Sequence, residues 1–69
     1  MSQYFRKIIS EKVKYYRLKM GLSREDLSLN LGFDNSYISK LEREKINITV
    51  DKLEKIIEFF GVKIKDFFN

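Results

Sequence analysis

The sequence predicts an all-α fold: a compact five-helix domain with a helix-turn-helix at its centre. Three observations predict it. Apolar residues recur at spacings of three and four along most of the chain, the period of a helix with one buried face. The only glycines, Gly21, Gly32 and Gly61, each follow such a run, and no proline interrupts any of them. The 69 residues, 43% of them apolar, suffice for one domain (1–69) with one small core.

The first helix is expected over about Gln3–Met20, ended by Gly21. Phe5, Ile9, Val13, Tyr16 and Met20 fall within one arc at 100° per residue and form its expected core face, with Arg17 at the edge. A shorter stripe of Tyr4, Ile8 and Tyr15 points elsewhere. It either widens the core face or meets a partner.

The stretch LSREDLSLNLGFDNSYISKLE, residues 22–42, carries two short helical patterns around a glycine. Ser23 caps the first, with Asp26 three residues on as a shortened capping box. Leu27 and Leu31 share one face of it, and Gly32 ends it. Phe33 and Asp34 make the turn, and Asp34 is the expected cap of a second helix over about 35–43. Ile38 and Leu41 give that helix a narrow apolar stripe, while Asn35, Ser36, Tyr37, Ser39 and Lys40 can all form hydrogen bonds. A short helix, a tight turn and a second helix that is dry on one side and polar on the other suit a helix that reads DNA bases. The same pattern also fits an ordinary helical hairpin in a small bundle.

Beyond the loop EREKINIT, Thr49 is the expected cap of a fourth helix, with Asp51 in its first turn. Val50, Leu53, Ile56, Ile57 and Phe60 form its apolar face, Phe59 lies off that face, and Gly61 ends it. The tail VKIKDFFN fits one further helical turn. There Val62, Ile64 and one of Phe67 or Phe68 can close the core.

Composition narrows the function classes. There is no histidine and no cysteine, so the commonest general base, the best nucleophile and any nitrogen or sulfur metal site are missing. No oxygen-rich calcium loop or phosphate-cradling glycine loop occurs. An enzyme is not expected, and neither is a cofactor or a small-molecule ligand. No apolar run of 18 residues and no signal-peptide core occurs, so the expectation is a cytoplasmic protein without a membrane partner. The net charge of +4 and pI near 9.4 favour a polyanionic partner.

RLKMGLSREDLSLNLGFDNSYISKLER resembles the helix-turn-helix of the lambda-repressor/Cro-like, or XRE-like, family. The likeness lies in Arg17, Gly21–Ser23, Glu25–Leu27, Leu31–Gly32, Ile38–Ser39 and Glu42, and continues through LEKIIEFFGVKIKDFF. Within that family DNSYIS, LER, NITVDKLEKI and the Phe-Phe pair are most similar to restriction-modification controller proteins. The resemblance implies a transcription regulator whose partner is double-stranded DNA. It places the helix after Asp34 in the major groove, with Asn35, Ser36, Tyr37, Ser39 and Lys40 as candidate base readers. Asn suits adenine, Lys suits guanine, Ser is permissive and Tyr packs on a thymine methyl. It places Arg24, Arg43 and Lys45 against phosphates, and matches Arg17 and Glu42 to an ion pair between helices. Two positions depart from the family pattern. Glu44 stands where glycine is usual, at a cost of about 1 kcal/mol if φ is positive. Ser28 replaces the usual alanine at a close helix crossing, where its hydroxyl can bond back to a carbonyl.

One recognition helix reads too few base pairs for useful specificity, so a homodimer on a palindromic site is expected. Surplus aromatic residues put its interface on the fourth and fifth helices, through Phe59, Ile64, Phe67 and Phe68. The rival reading is a protein-interaction module, an antitoxin or adaptor, on the same fold.

Overall fold

The computed structural model describes residues 2–69, which form five helices and, among the described residues, no strand: α1 (Gln3–Lys19), α2 (Arg24–Asn30), α3 (Tyr37–Glu42), α4 (Val50–Phe60) and α5 (Ile64–Phe67). Three helices start at a hydroxyl that accepts from an otherwise unpaired amide. The Ser2 hydroxyl accepts from Phe5 N–H at 3.2 Å, that of Ser23 from Asp26 N–H at 3.0 Å, and that of Thr49 from Lys52 N–H at 3.2 Å. In the helix-turn-helix, Gly32 takes a left-handed φ of 75°, which lets Phe33 N–H return to the Ser28 carbonyl at 2.9 Å.

One residue from almost every turn meets in a single core: Ile9 and Val13 from α1, Leu27 and Leu31, Ile38 and Leu41 from α3, Ile56 and Ile57 from α4, and Phe67 from α5. The aromatic rings of Tyr16 and Phe60 stack over Phe67 at centroid distances of 5.7 and 6.5 Å, which fastens α1, α4 and α5 together. No helix is long and apolar enough to cross a membrane among the described residues.

Several expectations shift at element ends. Phe5, Met20 and Val50, expected in the core, are 53%, 48% and 81% exposed. Phe5 and Val50 lie in the first turns of α1 and α4, where they line an open recess with Ile48 and Phe68, and Met20 is the C-cap of α1. Of the second α1 stripe, Tyr4 and Tyr15 are exposed and only Ile8 is half-covered, so it does not widen the core. The third helix begins at Tyr37, two residues later than expected, because Asp34 builds a turn of its own. Its carboxylate accepts from the Ser36 amide at 3.2 Å and from the Ser36 hydroxyl, and its carbonyl accepts from Tyr37 N–H at 2.9 Å. Asn35 and Ser36 therefore stand in the turn ahead of α3.

Phe67 is the member of the Phe67–Phe68 pair that closes the core, and being completely buried inside its own chain it is excluded from the dimer interface expected of it. Adjacent side chains on one helical turn diverge by about 100°, so when Phe67 enters the core Phe68 is directed outward, and it remains 36% exposed. Phe59 is half-buried against the core margin, and Ile64 is 63% exposed.

Candidate nucleic-acid interface

The site is built on α3 and on the side chains that fix its orientation. Ile38 and Leu41 anchor its inner face, both nearly inaccessible to solvent. α3 has no cap hydrogen bond from its own N-cap residue, Ser36, whose hydroxyl donates to the Asp34 carboxylate. The buried Ser28 hydroxyl supplies one instead. It accepts from Ile38 N–H at 3.0 Å and donates to the Arg24 carbonyl at 2.9 Å, so one side chain ties α2 to the start of α3. The expected back-bond to a carbonyl is present, but the link to α3 was not anticipated. Its only sequence signal is a serine where the resemblance implies alanine.

The far end of α3 is held by charge. Arg17 Nε and Nη2 donate to the two carboxylate oxygens of Glu42 at 2.7 and 3.1 Å, and Nη1 donates to the Leu22 carbonyl at 2.8 Å. Both side chains of the pair are only 6% exposed. This two-point fork sets the direction between α1 and α3, which geometry of this kind does better than it stabilises. Arg24 lies 3.7 Å from the same carboxylate, with its own side chain about half exposed. It is thus shared between Glu42 and the solvent at the N-terminus of α2.

The candidate readers divide into two groups. Asn35 is exposed and Ser36 half-exposed in the turn ahead of α3, and on α3 itself Lys40 is exposed and Ser39 half-exposed, whereas Ile38 and Leu41 are buried. Tyr37 departs from this arrangement. Its ring lies edge-on to Phe33 at 4.9 Å, and its hydroxyl is covered without a hydrogen-bond partner. Burial pushes its pKa up. The Lys52 ammonium from α4 sits 4.5 Å from the Tyr37 ring centroid and 5.4 Å from that of Phe33, and Lys55 Nζ lies 5.9 Å from Phe33. Beside this cluster, the Ser36 hydroxyl and then the Ser36 amide hold the Asp34 carboxyl below its usual range, with Lys40 adding to the effect.

Beyond α3, Arg43 and Lys45 are exposed and flank Glu44, whose φ of 60° is left-handed. The strain expected of a non-glycine residue there is present. The following loop is tied to α1 by Arg6 Nε donating to Asn47 Oδ1 at 2.8 Å, a link across 41 residues that no local pattern announces. Among the described residues no cluster of acidic side chains could hold a metal ion.

An orienting fork, a capped short helix and an exposed polar face on that helix define a helix-turn-helix protein, and the chain belongs to that family: residues 13–67 match HTH_3, described as Helix-turn-helix. The chain is 36% identical over 67 residues to Control protein C.BamHI of Bacillus amyloliquefaciens, covering 96% of this chain and 83% of that one. It is 40% identical over 60 residues to the uncharacterized HTH-type transcriptional regulator MJ0272 of Methanocaldococcus jannaschii, covering 87% and 91%. Among solved structures it is similar to the restriction-modification controller protein C.Esp1396I, with 34% identity, a TM-score of 0.85, and 99% and 88% of the two chains covered. A chain of that protein from its tetramer in complex with its natural 35 base-pair operator has 34% identity and a TM-score of 0.83 to this one, with 99% and 88% of the two chains covered.

Proposed function

We propose that the chain is a sequence-specific transcriptional regulator that reads a palindromic operator as a homodimer, with α3 in the major groove. The observation that carries this reading is the two-sidedness of α3. Its inner face is locked by Ile38, Leu41, Ser28 and the Arg17–Glu42 fork, while Asn35, Ser36, Ser39 and Lys40 are left accessible without a structural duty in the core. Asn35 and Lys40 offer the donors and acceptors that distinguish bases, and Arg24, Arg43 and Lys45 flank them as cations for phosphates. The likeness to C.BamHI and to the operator-bound C.Esp1396I supports a restriction-modification controller in particular.

Size argues for two copies. The domain is 26 Å in its longest dimension, and successive faces of the major groove recur about 34 Å apart. Its α4–α5 surface suits a two-fold contact. There a shallow recess of about 510 Å³ is lined by Ile57, Val62 and Ile64, with Glu54 and Glu58 beside Lys63 and Lys65 on its rim. Both signs of charge in one patch let the patch pair with itself across a two-fold axis. Exposed Ile64 and Phe68 and half-buried Phe59 supply apolar area; Phe67 does not.

The test is fluorescence anisotropy on a duplex obtained by selection, with wild type, Asn35→Ala and Lys40→Ala. Each substitution is expected to cost about 1–3 kcal/mol on the preferred site. Asn35→Ala should leave non-specific affinity nearly unchanged. Retention of wild-type preference by both variants places base readout elsewhere and overturns the assignment of α3. Sedimentation of wild type and Phe68→Glu tests the dimer: a wild type that stays monomeric both free and on DNA refutes it.

A further inference from the structure

A cation outside the helix-turn-helix is held against the start of α3. Lys52 belongs to α4, yet its ammonium lies over the Tyr37 ring at 4.5 Å and near the Phe33 ring at 5.4 Å, with Lys55 Nζ 5.9 Å from Phe33. Among the described residues, ion pairs involve only Arg17 and Arg24 with Glu42, so neither lysine is neutralised by a carboxylate. The Lys52 stem is half-buried while Lys55 is exposed, which gives Lys52 the narrower range of positions. An ammonium resting on aromatic faces keeps its charge and most of its capacity to donate hydrogen bonds.

The dimensions of DNA decide what such a cation meets. A helix with its side chains is about 10–12 Å across, and the major groove is about 12 Å wide. A helix seated in that groove therefore brings the backbone phosphates of the groove walls close to its flanks. Tyr37 is the first residue of α3 and directly follows the candidate readers Asn35 and Ser36. A positive charge 4.5 Å from the centroid of its ring is therefore held beside the start of α3.

We propose that Lys52 is a DNA phosphate-contacting residue, placed in advance by the Tyr37 and Phe33 rings, so that the α4 side of α3 supplies a cation in addition to Arg24, Arg43 and Lys45. The inference rests on the seating of α3 in the major groove. A phosphate offers the ammonium full negative charge, which the ring faces do not, so the ammonium passes from the rings to the phosphate on binding. The contact carries no base information. It strengthens binding to every sequence alike and fixes how α3 sits along the groove.

The test is the salt dependence of DNA affinity for wild type, Lys52→Met and Lys52→Arg. Methionine keeps an apolar chain over the rings and removes only the charge; circular dichroism establishes that each variant is folded. For Lys52→Met the log–log slope is expected to become shallower by about 0.9 per protomer, so the affinity lost between about 50 and 200 mM salt shrinks by about 3.5-fold per protomer. The ratio of operator to non-specific affinity is expected to stay at the wild-type value, and Lys52→Arg to restore the slope. A folded Lys52→Met that keeps the wild-type slope overturns the assignment of Lys52 while leaving the groove-seated α3 intact. A wild type whose DNA binding is indifferent to salt overturns both.

Discussion

Breaking the Arg17–Glu42 fork is expected to unfold much of the protein, and unequally according to which partner is removed. Both side chains are 6% exposed, so neither charge can return to water without opening the structure. Removing one partner of a buried pair costs about 3–5 kcal/mol, because the other charge is left desolvated. A core of this size rarely supplies more than about 3–5 kcal/mol in total, so each loss rivals the whole stability. The two variants differ in what remains. In Arg17→Ala the stranded Glu42 still has Arg24 at 3.7 Å, which can move closer. In Glu42→Ala the stranded guanidinium keeps only the Leu22 carbonyl, at 2.8 Å. Glu42→Ala is therefore expected to be the more damaging. Arg17→Met with Glu42→Leu, which leaves neither charge buried, is expected to lose less than either single alanine variant. Urea titrations with melting temperatures measure all four proteins, each kcal/mol being worth about 4–8 °C in a domain of this length. Single losses below about 1 kcal/mol, the range of exposed pairs, would refute the argument. So would losses of Arg17→Ala and Glu42→Ala that add to within about 0.5 kcal/mol in the variant carrying both alanines.

Three further outcomes follow from the site. Ser28→Ala removes the acceptor of the buried Ile38 N–H and is expected to cost about 1–3 kcal/mol; an unchanged urea midpoint contradicts the capping role. Glu44→Gly relieves a left-handed φ of 60° and is expected to stabilise by up to about 1 kcal/mol, whereas a loss would mean that the Glu44 side chain contributes more than the strain costs. The Asp34 carboxyl is held below its usual range by Ser36, so its stabilisation is complete above the unfolded-state value, about 3.9, and is lost as pH falls through the lower folded value. The stability difference between wild type and Asp34→Asn should therefore be constant through neutral pH and change only in acid, and a change near neutrality argues against the Asp34–Ser36 turn.

What the sequence made legible was local or periodic. Ser23 and Thr49 cap as their positions suggest, and Ile9, Val13, Leu27, Leu31, Ile38, Leu41, Ile56 and Ile57 point where the 3.6-residue period sends them. Periodicity assigns a direction, however, and not the extent of the cover. Phe5, Met20 and Val50 sit at helix ends and remain largely exposed although the period sends them to the core face. The Phe67–Phe68 pair had to diverge, yet only the packed rings of Tyr16 and Phe60 decide that Phe67 goes inward. α3 starts two residues later than the pattern suggests because Asp34 serves equally as a helix cap or as the centre of its own turn. Contacts across long sequence separations had no local sign at all. Arg6 meets Asn47 across 41 residues, and Lys52 settles on a tyrosine in another helix. The Arg17–Glu42 pair is legible only through resemblance to a family, since its spacing of 25 residues carries no period.

Selection of bound duplexes from a random DNA pool, at near-physiological salt, tests the central claim most directly. If α3 of two symmetry-related chains reads the major groove, the wild type will enrich a palindrome with half-site centres about 10–10.5 base pairs apart, or a multiple of that spacing. Asn35→Ala will then lose the preference at one position in each half-site. Failure to enrich any sequence, with salt-independent or undetectable binding, contradicts the account and favours a protein-binding role for the same fold.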